Sequence, residues 1–153
     1  MSTYVLVPGA GGSSWYWSYV ARILIDAGHE AVAVDLPGPD EAAGLPEYVD
    51  LVCAAIGGRR DVVLVTQSLG GFTAPLVAQR VPVRAVVLVN AMIPAPGETA
   101  GDWWDATGWG EARTAAAVRG GYPVEFDLAT YFLHDVDRGS PRLASRTCCP
   151  EGT

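Results

Sequence analysis

Four short valine-rich runs, separated by helical stripes, constrain this chain more than any other feature. Tyr4-Val5-Leu6-Val7, Ala31 to Val34, Val62 to Val65 and Ala85 to Val89 are continuous apolar runs with no clear alternation. Strands buried on both faces read this way, as in a parallel sheet covered by helices. Between them lie apolar residues at helical spacing. Tyr16, Tyr19, Val20, Ile23, Leu24 and Ala27 form the first stripe, with Ser13 or Ser14 as N-cap and Gly28 as stop. Tyr48, Leu51, Val52, Ala55 and Ile56 form the second, opened by Pro46 and closed by Gly57-Gly58. Leu69, Phe72, Thr73, Leu76 and Val77 form the third, where Pro75 predicts a kink if the helix starts near Leu69. Strand and helix alternate, which predicts an α/β fold with a doubly wound, mostly parallel sheet. Ligands of such sheets bind beyond the carboxyl ends of the strands, where Gly9, Asp35, Ser68 and Asn90 fall.

Beyond Ala91 the pattern changes. Pro94, Pro96, Gly97 and Gly101 read as a loop, followed by Trp103, Trp104, Trp109, Tyr122, Phe126, Tyr131 and Phe132. Short helices are expected over 111–118 and 128–134. This stretch reads as a partial helical cap over a site, its aromatics serving either ordinary packing or an apolar substrate pocket. Residues 139–153 show no period and hold the adjacent Cys148 and Cys149. They read as an irregular tail foreign to the fold, or as a disordered one. The expected organisation is a core over 1–90, a partial cap over 91–138 and a tail over 139–153.

The chain has 153 residues, half of them apolar, enough for one sizeable core. A net charge of -7 argues against nucleic-acid binding by phosphate neutralisation. No basic segment leads into an apolar one at the start, and no run approaches the ~18 apolar residues of a membrane span. A cytoplasmic location without membrane partners is the expectation. Cys53 falls on an apolar helix stripe, and the other two cysteines lack metal-ligand spacing.

The third run ends in Thr66-Gln67-Ser68-Leu69-Gly70-Gly71. A serine between small residues, after a strand and before a helix, is held at the apex of a sharp turn. Its hydroxyl is exposed, and the next N–H points at a reacting carbonyl. Ser68 as a mere helix N-cap is the alternative. With Val5-Leu6-Val7-Pro8-Gly9-Ala10-Gly11-Gly12 and Asp35-Leu36-Pro37-Gly38, this turn makes the chain resemble the α/β-hydrolase family, in its small esterase and hydroxynitrile-lyase-like branch. The resemblance covers about residues 3–138. It implies Ser68 as nucleophile, an oxyanion hole from the N–H groups of Ala10 and Leu69, and substrate contacts from Gly9, Gln67 and Trp104. It implies ester hydrolysis through an acyl-enzyme, or lyase chemistry on the same serine, and no metal or organic cofactor. A small apolar ester-like substrate is expected. Thr66 replaces the family's usual glycine and Pro8 its usual histidine.

The resemblance also implies an acid and a histidine on loops after the cap, in domains that run to ~200–250 residues. Neither is expected among these residues, so activity is expected to be impaired. His29 reads as a surface turn residue at the amino ends of the strands, and His134 falls in the cap pattern. Without a base, a serine hydroxyl is a weak nucleophile. Two rival readings remain. Gly9-Ala10-Gly11-Gly12-Ser13-Ser14 with Asp35 approaches a dinucleotide fingerprint. Alternatively the chain is a non-catalytic product whose unpaired sheet edge and exposed apolar faces lead it to form homo-oligomers, to bind a hydrophobic ligand, or to be unstable.

Overall fold

The structure, a computed structural model, describes residues 1–135. The proposed tail over 139–153, with Cys148 and Cys149, lies outside the described residues. The chain forms two compact units, Met1–Trp103 and one that starts at Trp104.

The first unit contains β1 (Thr3–Val7), α1 (Ser18–Asp26), β2 (Glu30–Ala33), α2 (Leu45–Ile56), β3 (Val62–Gln67), α3 (Thr73–Arg80) and β4 (Ala85–Val89). All strands are parallel, in the order β2-β1-β3-β4. Val5 stands level with Val32 and Leu64, and Val65 with Val87. Because side chains alternate across a strand, this register sorts the apolar runs onto two faces. Val5, Val7, Val62 and Leu64 pack with Val49, Val52 and Ile56 of α2 and with Ala74 and Val77 of α3. Leu6, Val63 and Val65 pack with Trp17 and, from α1, Ala21 and Leu24. Helices on both faces explain why β1 and β3 carry no polar alternation.

Three details depart from the stripes read in the sequence. A 3-10 turn over Ser14–Trp17, capped by the Ser13 hydroxyl, precedes α1. The residues that α1 turns to the sheet are Ala21 and Leu24, in line with Trp17 at spacings of four and three. Tyr19, Val20 and Ile23 of the expected stripe are exposed, Tyr19 by 77%. The kink expected at Pro75 also does not arise. A separate 3-10 turn over Ser68–Gly71 ends the elbow, and α3 begins at Thr73. Pro75 thus falls in the first turn, where its missing N–H would have had no helical partner. Finally, α4 (Ala100–Ala106) forms where a loop running to Gly101 was expected. Its signal is Thr99-x-x-Asp102: Asp102 accepts from the Thr99 N–H at 3.0 Å, and the Asp102 N–H donates to the Thr99 hydroxyl at 3.2 Å.

Pro46 and Gly57 bound α2 as expected, Gly57 with φ 54°. Cys53 is half-buried beside the α2–α3 core.

The second unit holds α5 (Trp109–Gly120) and α6 (Leu128–Phe132), near the two helices expected there. Its aromatics form a cluster around Arg113, whose guanidinium lies 5.0 Å from the Trp109 ring centroid and donates to the Val124 carbonyl at 2.7 Å. Phe126 packs on Tyr131 and Phe132. No helix among the described residues is long and apolar enough to cross a membrane.

The amino ends of the strands are tied by polar side chains. The Ser2 hydroxyl donates to Asp61 at 2.6 Å, and Arg84 reaches the same carboxylate at 3.2 Å. Glu30 accepts from Thr3 and Arg59, both at 2.8 Å. His29 accepts the Ser2 N–H at Nδ1. The Ser2 hydroxyl and the Arg84 cation hold Asp61 below its ordinary pKa. Arg59 and then Thr3 do the same for Glu30. Carboxylates depressed by folding contribute stability that is whole above their unfolded pKa and lost as pH falls through the folded one. The urea midpoint is therefore expected to hold between about pH 7 and pH 5 and to fall below about pH 4. Circular dichroism should show that Glu30→Gln with Asp61→Asn flattens part of this fall.

Thr66 is fully buried in β3 between Val7 and Leu88, and its hydroxyl has no hydrogen-bond partner. A buried, unpaired hydroxyl destabilises by roughly 1–3 kcal/mol. Thr66→Val keeps the shape and removes the polar atom. We expect it to stabilise the first unit by about 1 kcal/mol in urea unfolding.

Candidate active site

At the carboxyl end of β3 the backbone turns sharply at Ser68. Its φ is 49°, in the left-handed region that a residue with a Cβ rarely adopts. Such a conformation costs of order 1–3 kcal/mol and persists only where its surroundings fix it. Here the surroundings are main chain. The Met92 N–H donates to the Ser68 carbonyl at 2.9 Å, and the Phe72 N–H to that of Leu69 at 3.1 Å. Glycines let the neighbouring backbones close in. A Cβ on Gly70 would stand 2.8 Å from the Pro8 carbonyl oxygen, and one on Gly71 would collide with the Met92 carbonyl. The small residues read from the sequence are required by these approaches.

The first loop meets the same turn. A Cβ on Gly9 would lie 2.9 Å from the Ser68 Cβ and 3.4 Å from its Oγ. Gly9 therefore flanks the hydroxyl directly, while Ala10 is exposed beyond it. Ser68 itself is half-buried, as are Gln67 and Leu69. Leu69 lies in the first turn after the strand, where N–H groups have no partner within the turn. Pro8 is fully buried. Its carbonyl, against Gly70, takes part in the packing that joins loop and elbow.

The motif Asp35-Leu36-Pro37-Gly38 acts by holding that loop. The Leu36 N–H donates to the Gly12 carbonyl at 2.7 Å, and Asp35 accepts the Ser14 N–H at 2.7 Å. Gly12, at φ 69°, and Gly38 allow the two backbones to touch. A dinucleotide-binding loop would offer this helix start to a pyrophosphate. Here the Asp35 carboxylate already occupies the Ser14 donor, so a second anion would meet like charge.

An open cavity of about 350 Å³ lies beside the elbow, all its walls from the first unit. Gly9 and Leu69 border it, with Leu36, Leu45, Tyr48 and Phe72 giving an apolar lining. Glu98 stands on its wall and is tied to the Ala95 N–H at 2.7 Å. Sequence reading missed Tyr48 and Phe72 as wall residues because their helical spacing marks them equally as core.

His29 is at the amino ends of the strands, bonded to Ser2 and edge-on to Tyr4. β3 alone spans about 20 Å, so His29 does not reach Ser68. Trp104 and His134 belong to the second unit, Trp104 packed on Trp109 with ring centroids 5.7 Å apart. Asn90 ends β4 in a left-handed conformation, φ 47°. No cluster of three or more metal-ligating side chains occurs among the described residues.

Comparison with known proteins fits this geometry. The profile of the Alpha/beta hydrolase family matches residues 4–150. Probable esterase PIR7A of Oryza sativa subsp. indica is 39% identical over 111 residues, covering 64% of this chain and 42% of that protein. Methyl jasmonate esterase 1 of Vitis vinifera is 31% identical over 106 residues, covering 61% and 40%. The crystal structure of polyneuridine aldehyde esterase superposes with a TM-score of 0.60 at 28% identity, over 71% of this chain and 48% of that one. The chain thus spans about two-fifths of the length of the curated relatives it matches.

Gly9→Ala is expected to press a methyl group against Ser68 and shift either the loop or the hydroxyl. Modification of Ser68 by a fluorophosphonate, followed by intact mass, should slow at least tenfold while the circular dichroism spectrum is unchanged.

Proposed function

Because this chain belongs to the alpha/beta hydrolase family, we propose that Ser68 is the acyl acceptor for small apolar esters. The observation that carries this reading is the strained serine at a strand end, with Gly9 flanking its hydroxyl. Ser68 Oγ attacks the ester carbonyl, a bond forms between them, and the alcohol leaves with the serine proton. Water then cleaves the acyl-enzyme and restores the hydroxyl. The N–H groups of Ala10 and Leu69 receive the oxyanion. Aligned donors of this kind matter, since losing one typically costs about 3 kcal/mol in barrier. Gly9 and Gln67 border the bound carbonyl. The apolar cavity beside Leu69 takes a hydrocarbon part of the substrate, and its volume suits a small group. The relatives named above are esterases by name, which supports ester chemistry. None of these steps calls for a metal or an organic cofactor.

Within the first unit no histidine lies near Ser68, since His29 is held at the opposite end of the sheet. With no histidine beside it among the described residues of the first unit, the hydroxyl of this chain is expected to acylate slowly, and turnover to be impaired more than the first attack. Fluorophosphonate labelling with intact mass tests this reading, alongside Ser68→Ala. We expect one slow adduct on the chain and none on the variant, with little steady-state hydrolysis of a short-chain nitrophenyl ester. Labelling that survives in Ser68→Ala, or a folded chain that never labels, would overturn Ser68 as acyl acceptor.

A further inference from the structure

Of the residues at the carboxyl ends of the strands, Gly9, Asp35 and Ser68 have a part in the site described above. Asn90 has none. Its backbone sets it apart. Among the described residues, three that are not glycine have a left-handed φ: Asp61, Ser68 and Asn90. Asp61 lies at the amino end of the sheet, just before β3. Ser68 and Asn90 lie together at the carboxyl end, at 49° and 47°. β3 and β4 pair with Gln67 level with Val89, so Ser68 and Asn90 are the next residues on neighbouring strands. Such conformations persist only where the surroundings over-determine them, and they cluster at functional sites.

The bend at Asn90 turns the chain across the end of β3. An extended residue there would carry Met92 onward by about 3.3 Å per residue, past the elbow. Instead Met92 is buried against the elbow. Its N–H donates to the Ser68 carbonyl at 2.9 Å, and its own carbonyl fills the space beside Gly71. The Ser68 carbonyl shares one planar trans peptide with the Leu69 N–H, and the two point in opposite directions. Whatever holds the carbonyl therefore aims the N–H. A hydrogen bond on the carbonyl also polarises the peptide and strengthens its N–H as a donor. We propose that Asn90 is a positioning residue: its left-handed bend seats Met92 on the Ser68 carbonyl and so aims the Leu69 N–H at the oxygen of a bound ester carbonyl. The effect on rate rests on Ser68 as acyl acceptor, whereas the seating of Met92 stands without it. Asparagine suits the place because it enters the left-handed region more readily than most residues with a Cβ. Its part is played by the backbone, so glycine should serve as well and a β-branched residue should not.

Three variants separate backbone from side chain: Asn90→Gly, Asn90→Ala and Asn90→Val, each checked for folding by circular dichroism. Amide hydrogen exchange, read by nuclear magnetic resonance, follows the Met92 N–H. Fluorophosphonate labelling with intact mass follows Ser68. Asn90→Gly should keep both within about twofold of the natural chain. Asn90→Val should speed exchange at Met92 at least tenfold, with Leu64 of β3 unchanged. It should also slow labelling at least tenfold, within the roughly 10²–10³ that loss of a whole donor costs. Asn90→Ala should fall between the two, and it carries the comparison if Asn90→Val does not fold. Glycine as damaging as valine would overturn the proposal, because the side chain would then be at work. So would natural exchange at Met92 in folded Asn90→Val and Asn90→Ala, or labelling that ignores the order set by exchange. Exchange in the expected order with no labelling even of the natural chain would uphold the seating of Met92 and overturn Ser68 as acyl acceptor.

Discussion

The site depends on close approach of main chain to main chain around one strained residue. Ser68 holds a left-handed conformation because Pro8, Met92 and Gly9 leave its backbone no other place. The cost of that conformation is of order 1–3 kcal/mol, comparable to one or two net hydrogen bonds. The bond from the Met92 N–H and the burial of Gly70 and Gly71 offset it. Glycine at 9, 70 and 71 is thus a condition of the serine's posture. A methyl group at any of the three would have to displace backbone, which a packed strand end resists.

The two ends of the parallel sheet use different chemistry. The amino ends are tied by charged and hydroxyl side chains, with Asp61, Arg84, Glu30 and Arg59 in ion pairs. The carboxyl ends are shaped by glycine turns and backbone bonds, with the Asp35 carboxylate fixing the first loop at Ser14. Fixed main-chain dipoles at the elbow need no reorganisation when charge develops on a substrate oxygen. Exposed ion pairs at the far end contribute little each, but they hold the strand starts in register. Register in turn places Val7 level with Thr66, and so the first loop beside the elbow.

Much of this was legible in the sequence because the strands obey a local rule. Val62 to Val65 and Ala85 to Val89 lie where the apolar runs placed them, and Pro46 and Gly57 bound α2. The elbow was legible because its small residues answer a steric demand set within a few positions. What escaped depends on neighbours. The face of α1 was misjudged because Tyr19 and Ile23 share helical spacing with Leu24. The small Ala21 lets Trp17 and Leu24 meet the sheet instead. Pro75 read as a kink only while the 3-10 turn before α3 went unseen. The walls Tyr48 and Phe72 were hidden because a cavity joins residues from separate elements. Spacing along one helix carries no record of what another element leaves empty.

β4 shows the same limit from the other side. Its Val86-Val87-Leu88-Val89 repeats the Val62-Val63-Leu64-Val65 of β3, yet Leu64 is fully buried and Leu88 is 45% exposed. A valine-rich run states what a strand is able to bury, and only its neighbours decide what is buried. Among the described residues β3 has a partner strand on each side, while β4 has one. The hydrophobic effect on such a strand is non-directional, so burial alone would accept any apolar cover.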